Sequence, residues 1–213
     1  MRTEGHVRNV ALYTILGINL DGQKECLGLW ICETESAKYW LSVLNELKNR
    51  GIENVLIFSV DTRKGISEAI EAVYPRAEVQ KCIVHQIRNS LRYVSWKERK
   101  AMARDLPRIY ETSTKEEGSG ARTEFSEKWD KLYPHVSASW KSNWSEIATF
   151  FKFPPEVRAL IYTTNPIESL HRQIKKVAKN KSIFPNDQAL IKLVFLAVEE
   201  ASKKWTFRHR AGL

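Results

Sequence analysis

Two carboxylates and one cysteine–histidine pair are the residues of this chain best placed to do chemistry. Asp61 closes the apolar run "VLIFSVD" and is followed by Thr62, Arg63, Lys64 and Gly65. A strand that ends in a carboxylate sets an oxygen donor at the carboxyl edge of a sheet, where loops diverge and ligands collect. That oxygen suits a hard divalent cation. It suits equally an Asx-turn or an N-cap for a helix beginning near Gly65, with Arg63 and Lys64 on a solvated turn.

The second carboxylate opens the most patterned stretch, "TTNPIESLHRQIKKVAKNK", residues 163–181. Thr164 or Asn165 can cap a helix with Pro166 at its first position, the placement proline favours. Leu170, Ile174 and Val177 then make one stripe. Glu168, Arg172, Lys175 and Lys179 fall within about 60° of one another on the opposite face. No acidic residue occurs from Ser169 through Asn186. One acid leading a file of cations suits phosphodiester chemistry, in which the acid holds a metal and the cations hold the DNA backbone beside it. The competing reading is an exposed basic face with a Glu168–Arg172 pair worth roughly a few tenths of a kcal/mol.

The third group is "KCIVHQIRNS", with Cys82 and His85 three apart after a short strand. A closed zinc site takes four ligands and this pair offers two. A small buried cysteine next to a hydrogen-bonded histidine explains the spacing as well.

These side chains need a scaffold, and the hydrophobic pattern supplies one. "VRNVALYTILGIN" (7–19) and "ECLGLWICE" (25–33) read as two strands joined at Asp21-Gly22, a strong hairpin signal. In "SAKYWLSVLNELKNRG" the period changes: Trp40, Leu41, Val43, Leu44 and Leu47 share a helical stripe, Ser36 can cap it and Gly51 can end it. "NVLIFSVD" is a continuous apolar run, as expected of a strand covered on both faces. A helix over Ile66 to Val73 and a strand in "AEVQKCIV" follow. Hairpin, helix, strand, helix, strand predicts an α/β fold with a mixed sheet. Residues 86–160 then read as mostly helical, except that "TSTKEEGSGART" reads as an exposed loop. Trp140 and Trp144 fit the core of that helical stretch, with base stacking as the alternative. Further helices are expected near 164–180 and 187–204.

Composition narrows the classes. Seven Trp, seven Tyr and eight Phe in 213 residues support a real core and argue against global disorder. The net charge of +9 favours nucleic acid over a small metabolite as partner. Cys26, Cys32 and Cys82 are odd in number and widely spaced, which fits a reducing compartment and no disulfide framework. No apolar stretch has the length of a membrane span and no signal-peptide core is present, which predicts a cytoplasmic protein with no membrane partner. No glycine-rich phosphate loop follows any strand, which disfavours a nucleotide enzyme of doubly wound type.

Taken together and in this order, "VDTRKG", "CIVHQIRNS" and "TTNPIESLHRQIKK" resemble the catalytic domain of the Mutator-type transposases of bacterial insertion sequences. The likeness runs from about Gly5 to Trp205. It implies a ribonuclease H-like fold with an Asp-Asp-Glu triad, in which Asp61 matches the second aspartate and Glu168 the glutamate. It also implies that about 86–160 is a helical insertion before the final catalytic helix. Cys82 and His85 match a Cys-x-x-His element associated with the active site, to which a positioning role is assigned. The implied cofactor is Mg²⁺ or Mn²⁺ held by carboxylates, and the implied partner is DNA, both transposon ends and target, with a homo-oligomer left open. Arg172, Lys175, Lys176 and Lys179 would hold the strand near the metal.

The sequence also departs from the family. Thr62 and Arg63 stand where Gly-Leu is usual, and Pro166 and His171 where Ala and Asn are common. The first aspartate of the family lies on the strand just before "GHVRN", where this chain begins; Glu4 has the wrong offset to replace it, and Asp21 belongs to the hairpin turn. The resemblance also leads one to expect that the region recognising transposon ends lies outside these residues, and the ending "TFRHRAGL" diverges. The expectation is therefore a catalytic domain truncated at both ends that binds metal poorly and is inactive by itself. A non-enzymatic DNA-binding remnant is the alternative.

Overall fold

Asn19 and Gly22 make the turn on which the first part of the chain folds back. The Gly22 amide donates to the Asn19 carbonyl at 2.9 Å, and Gly22 has a φ of 76°, a conformation that favours glycine. The turn joins β3 (Ala11–Ile18) to β4 (Lys24–Cys32) as an antiparallel pair. Two short strands, β1 (Arg2–Thr3) and β2 (His6–Val7), pair before it. The structure is a computed structural model that describes residues 2–3, 6–61, 65–162, 165–179, 181 and 183–205. Glu4, Thr62, Arg63, Lys64, Thr164 and the ending "TFRHRAGL", all considered from the sequence, lie outside the described residues.

The chain divides into two compact units, residues 1–52 with 165–213, and residues 53–164. In the first, the β3–β4 register shifts between Ile15 and Leu16, opposite which the partners jump from Gly28 to Cys26. The extra residue puts Cys26 and Leu29, three apart, on one face, where strict alternation would separate them. That face carries Leu12, Leu16, Cys26 and Leu29. It packs against Leu170 and Ile174 of α10 (Asn165–Ala178) and Val194, Ala197, Val198 and Ala201 of α11 (Asp187–Ser202). The other face presents Tyr13 to Tyr39 and Trp40, with ring centroids 5.5 and 5.0 Å apart.

Tyr39 and Trp40 belong to α1 (Ala37–Asn49), which starts and stops where its sequence directs. The Ser36 hydroxyl accepts the Tyr39 amide, and Gly51 takes a φ of 91° beyond its end. At the start of α11 the Asn186 side chain accepts the Ala189 amide. Arg8 grips the Asp187 carboxylate with both oxygens at 3.1 and 3.2 Å and also pairs with Glu33.

The second unit begins with a βαβ turn. The strand β5 (Ile57–Val60) leads through α2 (Ile66–Val73) to β6 (Glu78–Lys81), which lies parallel to it with Ile57 opposite Glu78 and Val60 opposite Lys81. Leu56 is 65 % exposed, so the apolar run is not covered along its whole length as expected. Helices follow: α3 (Ile83–Arg92), α4 (Trp96–Asp105), α5 (Pro107–Tyr110), α6 (Lys115–Trp129), α7 (Pro134–Ser142) and α8 (Trp144–Ile147), a 3₁₀ turn over Ala148–Lys152, and α9 (Pro155–Tyr162). Their core is Met102, Leu106, Ile109, Phe125, Trp129, Trp140, Ile147 and Phe150. Trp140 is fully buried and donates to the Ser90 hydroxyl at 2.9 Å, so it is a core residue and not a stacking platform.

One expectation is overturned. Residues 112–123 are not a loop, because α6 starts inside them at Lys115. Thr114 and Glu117 form a reciprocal capping box there, satisfying amides at the helix start. The described strands form three two-stranded ladders, β1–β2, β3–β4 and β5–β6, the first two antiparallel and the last parallel. The fold is mixed α/β and predominantly helical, and among the described residues no helix is long and apolar enough to cross a membrane.

Candidate functional site

The parallel pairing of β5 and β6 brings two strand ends to one edge. The Cys82 amide donates to the Val60 carbonyl at 2.8 Å and extends the ladder by one bond. Asp61 follows Val60 directly, and Cys82 is the N-cap residue of α3. His85, three residues into the helix, falls on the same helical face as Cys82. The register thus sets Asp61 against both.

The His85 Nδ1 stands 2.8 Å from Asp61 Oδ1 and 3.2 Å from Cys82 Sγ. The three donor atoms lie within 4.8 Å of one another. Cys82 is fully buried, while the Asp61 and His85 side chains keep 37 % and 27 % of their exposure. Hydrogen bonding to Asp61, and next to Cys82, raises the His85 pKa from 6.5 to about 10 against the opposing effect of burial. The charged imidazole is thereby favoured, and its Nδ1 orients the Asp61 carboxylate. Asp61 does not stand at the N-cap of α2; Gly65 does, with a φ of 79°.

Glu168 lies in the first turn of α10 in the other unit. Leu170 and Ile174 are buried on the opposite side, whereas Val177 is 45 % exposed and leaves the expected stripe at the last turn. Arg172, Lys175, Lys176 and Lys179 are all exposed.

Donor chemistry separates these groups. Mg²⁺ takes oxygen ligands, so the carboxylates of Asp61 and Glu168 fit it, and the Cys82 sulfur and His85 nitrogen do not. Spacing alone left Asp61 and the Cys82–His85 pair as separate features, and only the family resemblance put them at one site; the structure brings all three together. The available signal was the βαβ unit itself, because parallel neighbours end at the same edge.

The sequence matches the family described as "Transposase, Mutator family" over residues 1–207. It is 47 % identical over 206 residues to a Rhizobium meliloti protein named transposase for insertion sequence element ISRM3, covering 96 % of this chain and 52 % of that protein. A Corynebacterium diphtheriae protein named probable transposase for insertion sequence element is 39 % identical over 197 residues, 92 % of this chain and 57 % of its own length. A Lactobacillus helveticus protein named transposase for insertion sequence element IS1201 is 34 % identical over 180 residues, 84 % of this chain and 49 % of its own length. The chain spans about half the length of the curated relatives it matches.

Proposed function

The chain belongs to the Mutator family of transposases, and on that premise we propose that it supplies metal-binding carboxylates and a DNA-holding surface to an enzyme that cuts and joins DNA during transposition. Asp61 and Glu168 each contribute a carboxylate for Mg²⁺ or Mn²⁺. When bound, the ions stabilise the attacking and leaving oxygens of an in-line phosphoryl displacement.

The residues of the chain do the rest. His85 fixes one oxygen of Asp61, so the carboxylate is oriented before any ligand arrives. Cys82 supports His85 from the buried side. Arg172, Lys175, Lys176 and Lys179 hold phosphates of transposon-end or target DNA, an interaction that must weaken steeply with salt. The order of hairpin, helix, strand, helix and strand supports a ribonuclease H-like arrangement as the scaffold.

The observation that carries this reading is the Asp61 carboxylate at the carboxyl end of β5, held by a cation from the helix after the neighbouring strand. The test is Mn²⁺ binding to the chain–DNA complex, followed by loss of the free-ion paramagnetic resonance signal. Affinity should fall at least tenfold in both Asp61→Asn and Glu168→Gln. Unchanged affinity in either variant overturns the assignment of that residue. DNA binding that ignores both the metal and its removal by chelator would favour a purely DNA-binding role, for which the exposed cations suffice.

A further inference from the structure

We propose that Asp61, Cys82 and His85 form a site for a thiophilic divalent cation of the Zn²⁺ class, distinct in donor chemistry from the oxygen-only coordination of Mg²⁺. One carboxylate oxygen, one sulfur and one imidazole nitrogen all lie within 4.8 Å of one another. Sulfur and imidazole ligands select zinc-like ions and are poor partners for Mg²⁺.

The spacing is close to what such an ion needs. With zinc–sulfur and zinc–nitrogen bonds of about 2.3 and 2.0 Å, tetrahedral ligands sit roughly 3.3 to 3.6 Å apart. Here sulfur and nitrogen are 3.2 Å apart, and oxygen and nitrogen 2.8 Å. Opening the cluster by a few tenths of an ångström admits the ion. Two features make it a built site. Cys82 is fixed by the hydrogen bond its amide donates to the Val60 carbonyl and by its place at the start of α3, and the residue is buried. Asp61 and His85 remain partly exposed, which gives an ion a route in and a fourth position for water. Occupancy would engage Asp61 and so withdraw it from the role proposed above; that consequence alone rests on the transposase reading.

The experiment is a Co²⁺ titration of the full chain with Cys26 and Cys32 both changed to serine, leaving Cys82 as the one thiol. The expected result is a near-ultraviolet thiolate-to-cobalt charge-transfer band, bleached by added Zn²⁺ and absent after Cys82→Ser. Co²⁺ affinity should fall at least tenfold in His85→Gln and in Asp61→Asn, both at partly exposed positions that tolerate substitution if Cys82→Ser fails to fold. Glu168→Gln should leave the band intact, so loss of the Mn²⁺ reading and loss of this one are told apart. No band, or Co²⁺ affinity unchanged in both His85→Gln and Asp61→Asn, overturns the proposal.

Discussion

His85 Nδ1 and Asp61 Oδ1, 2.8 Å apart, join the helix after β6 to the end of β5 and make this edge sensitive to pH. The pKa of His85 is raised in the folded chain to about 10 from an ordinary 6.5. A group raised on folding stabilises fully below its unfolded pKa, and that contribution fades as pH climbs through the folded value. In chelator, the wild-type urea midpoint should exceed that of His85→Gln most below pH 6.5 and converge with it toward pH 10. Partial exposure of both side chains keeps the difference modest. A constant gap across that window would show that the pair is not what titrates.

Gln80 is fully buried on β6, and its amide serves both directions at once. Its Nε2 donates to the Ile147 carbonyl at 2.8 Å and the Lys81 carbonyl at 2.7 Å, while its Oε1 accepts the Phe150 amide at 2.7 Å. Through these bonds the 3₁₀ turn docks on the strand. Gln80→Leu keeps the bulk but strands buried backbone groups, and should lower stability by about 2–4 kcal/mol in urea unfolding. A loss below about 1 kcal/mol would mean that water replaces the amide.

Two glycines of α6 should respond to alanine with opposite signs. A Cβ on Gly118 would come within 2.8 Å of the Ile109 carbonyl oxygen and 3.1 Å of the Trp144 ring. A Cβ on Gly120 would meet nothing within 4 Å. Gly120→Ala should gain up to about 1 kcal/mol from helix propensity. Gly118→Ala should destabilise despite the same propensity, because backbone at 2.8 Å cannot yield cheaply. Thermal unfolding of the two variants side by side checks the sign.

The same helix shows where sequence reasoning stopped. The end of α2 at Val73 is legible because Pro75 follows it, a local signal, and Ser36 and Gly51 mark α1 for the same reason. In α6 the local signals conflict. Its glycines, serines and threonines read as loop, while the Thr114–Glu117 capping box, an equally local signal, points to a helix start. What Gly118 accommodates is the close approach of Trp144, twenty-six residues on, which no short window of sequence contains. The site behaves likewise. Asp61, Cys82 and His85 each carried a plausible bland role, and only the β5–β6 register makes them one cluster. Glu168 stood out on its helix face, which local periodicity does encode, but its role as a metal-binding carboxylate came from the family resemblance.

The basic face of α10 makes a claim about salt. Arg172, Lys175, Lys176 and Lys179 are exposed, while Leu170 and Ile174 anchor the opposite side of the helix to α11. Replacing the four cations with glutamine therefore removes charge without touching the core. Each lost phosphate contact lowers the slope of log affinity against log salt by about 0.9 for duplex DNA. If all four hold phosphates, the slope should fall by roughly 3 to 4, with the largest affinity loss at low salt. The control is an equal charge change at four other exposed cations, Lys97, Lys100 and Arg104 of α4 and Arg108 of α5. Those substitutions should leave the slope nearly unchanged, since only a cation that holds a phosphate releases a counterion. Equal slopes in the two variants would mean that DNA responds to overall charge, and α10 would lose its assigned role.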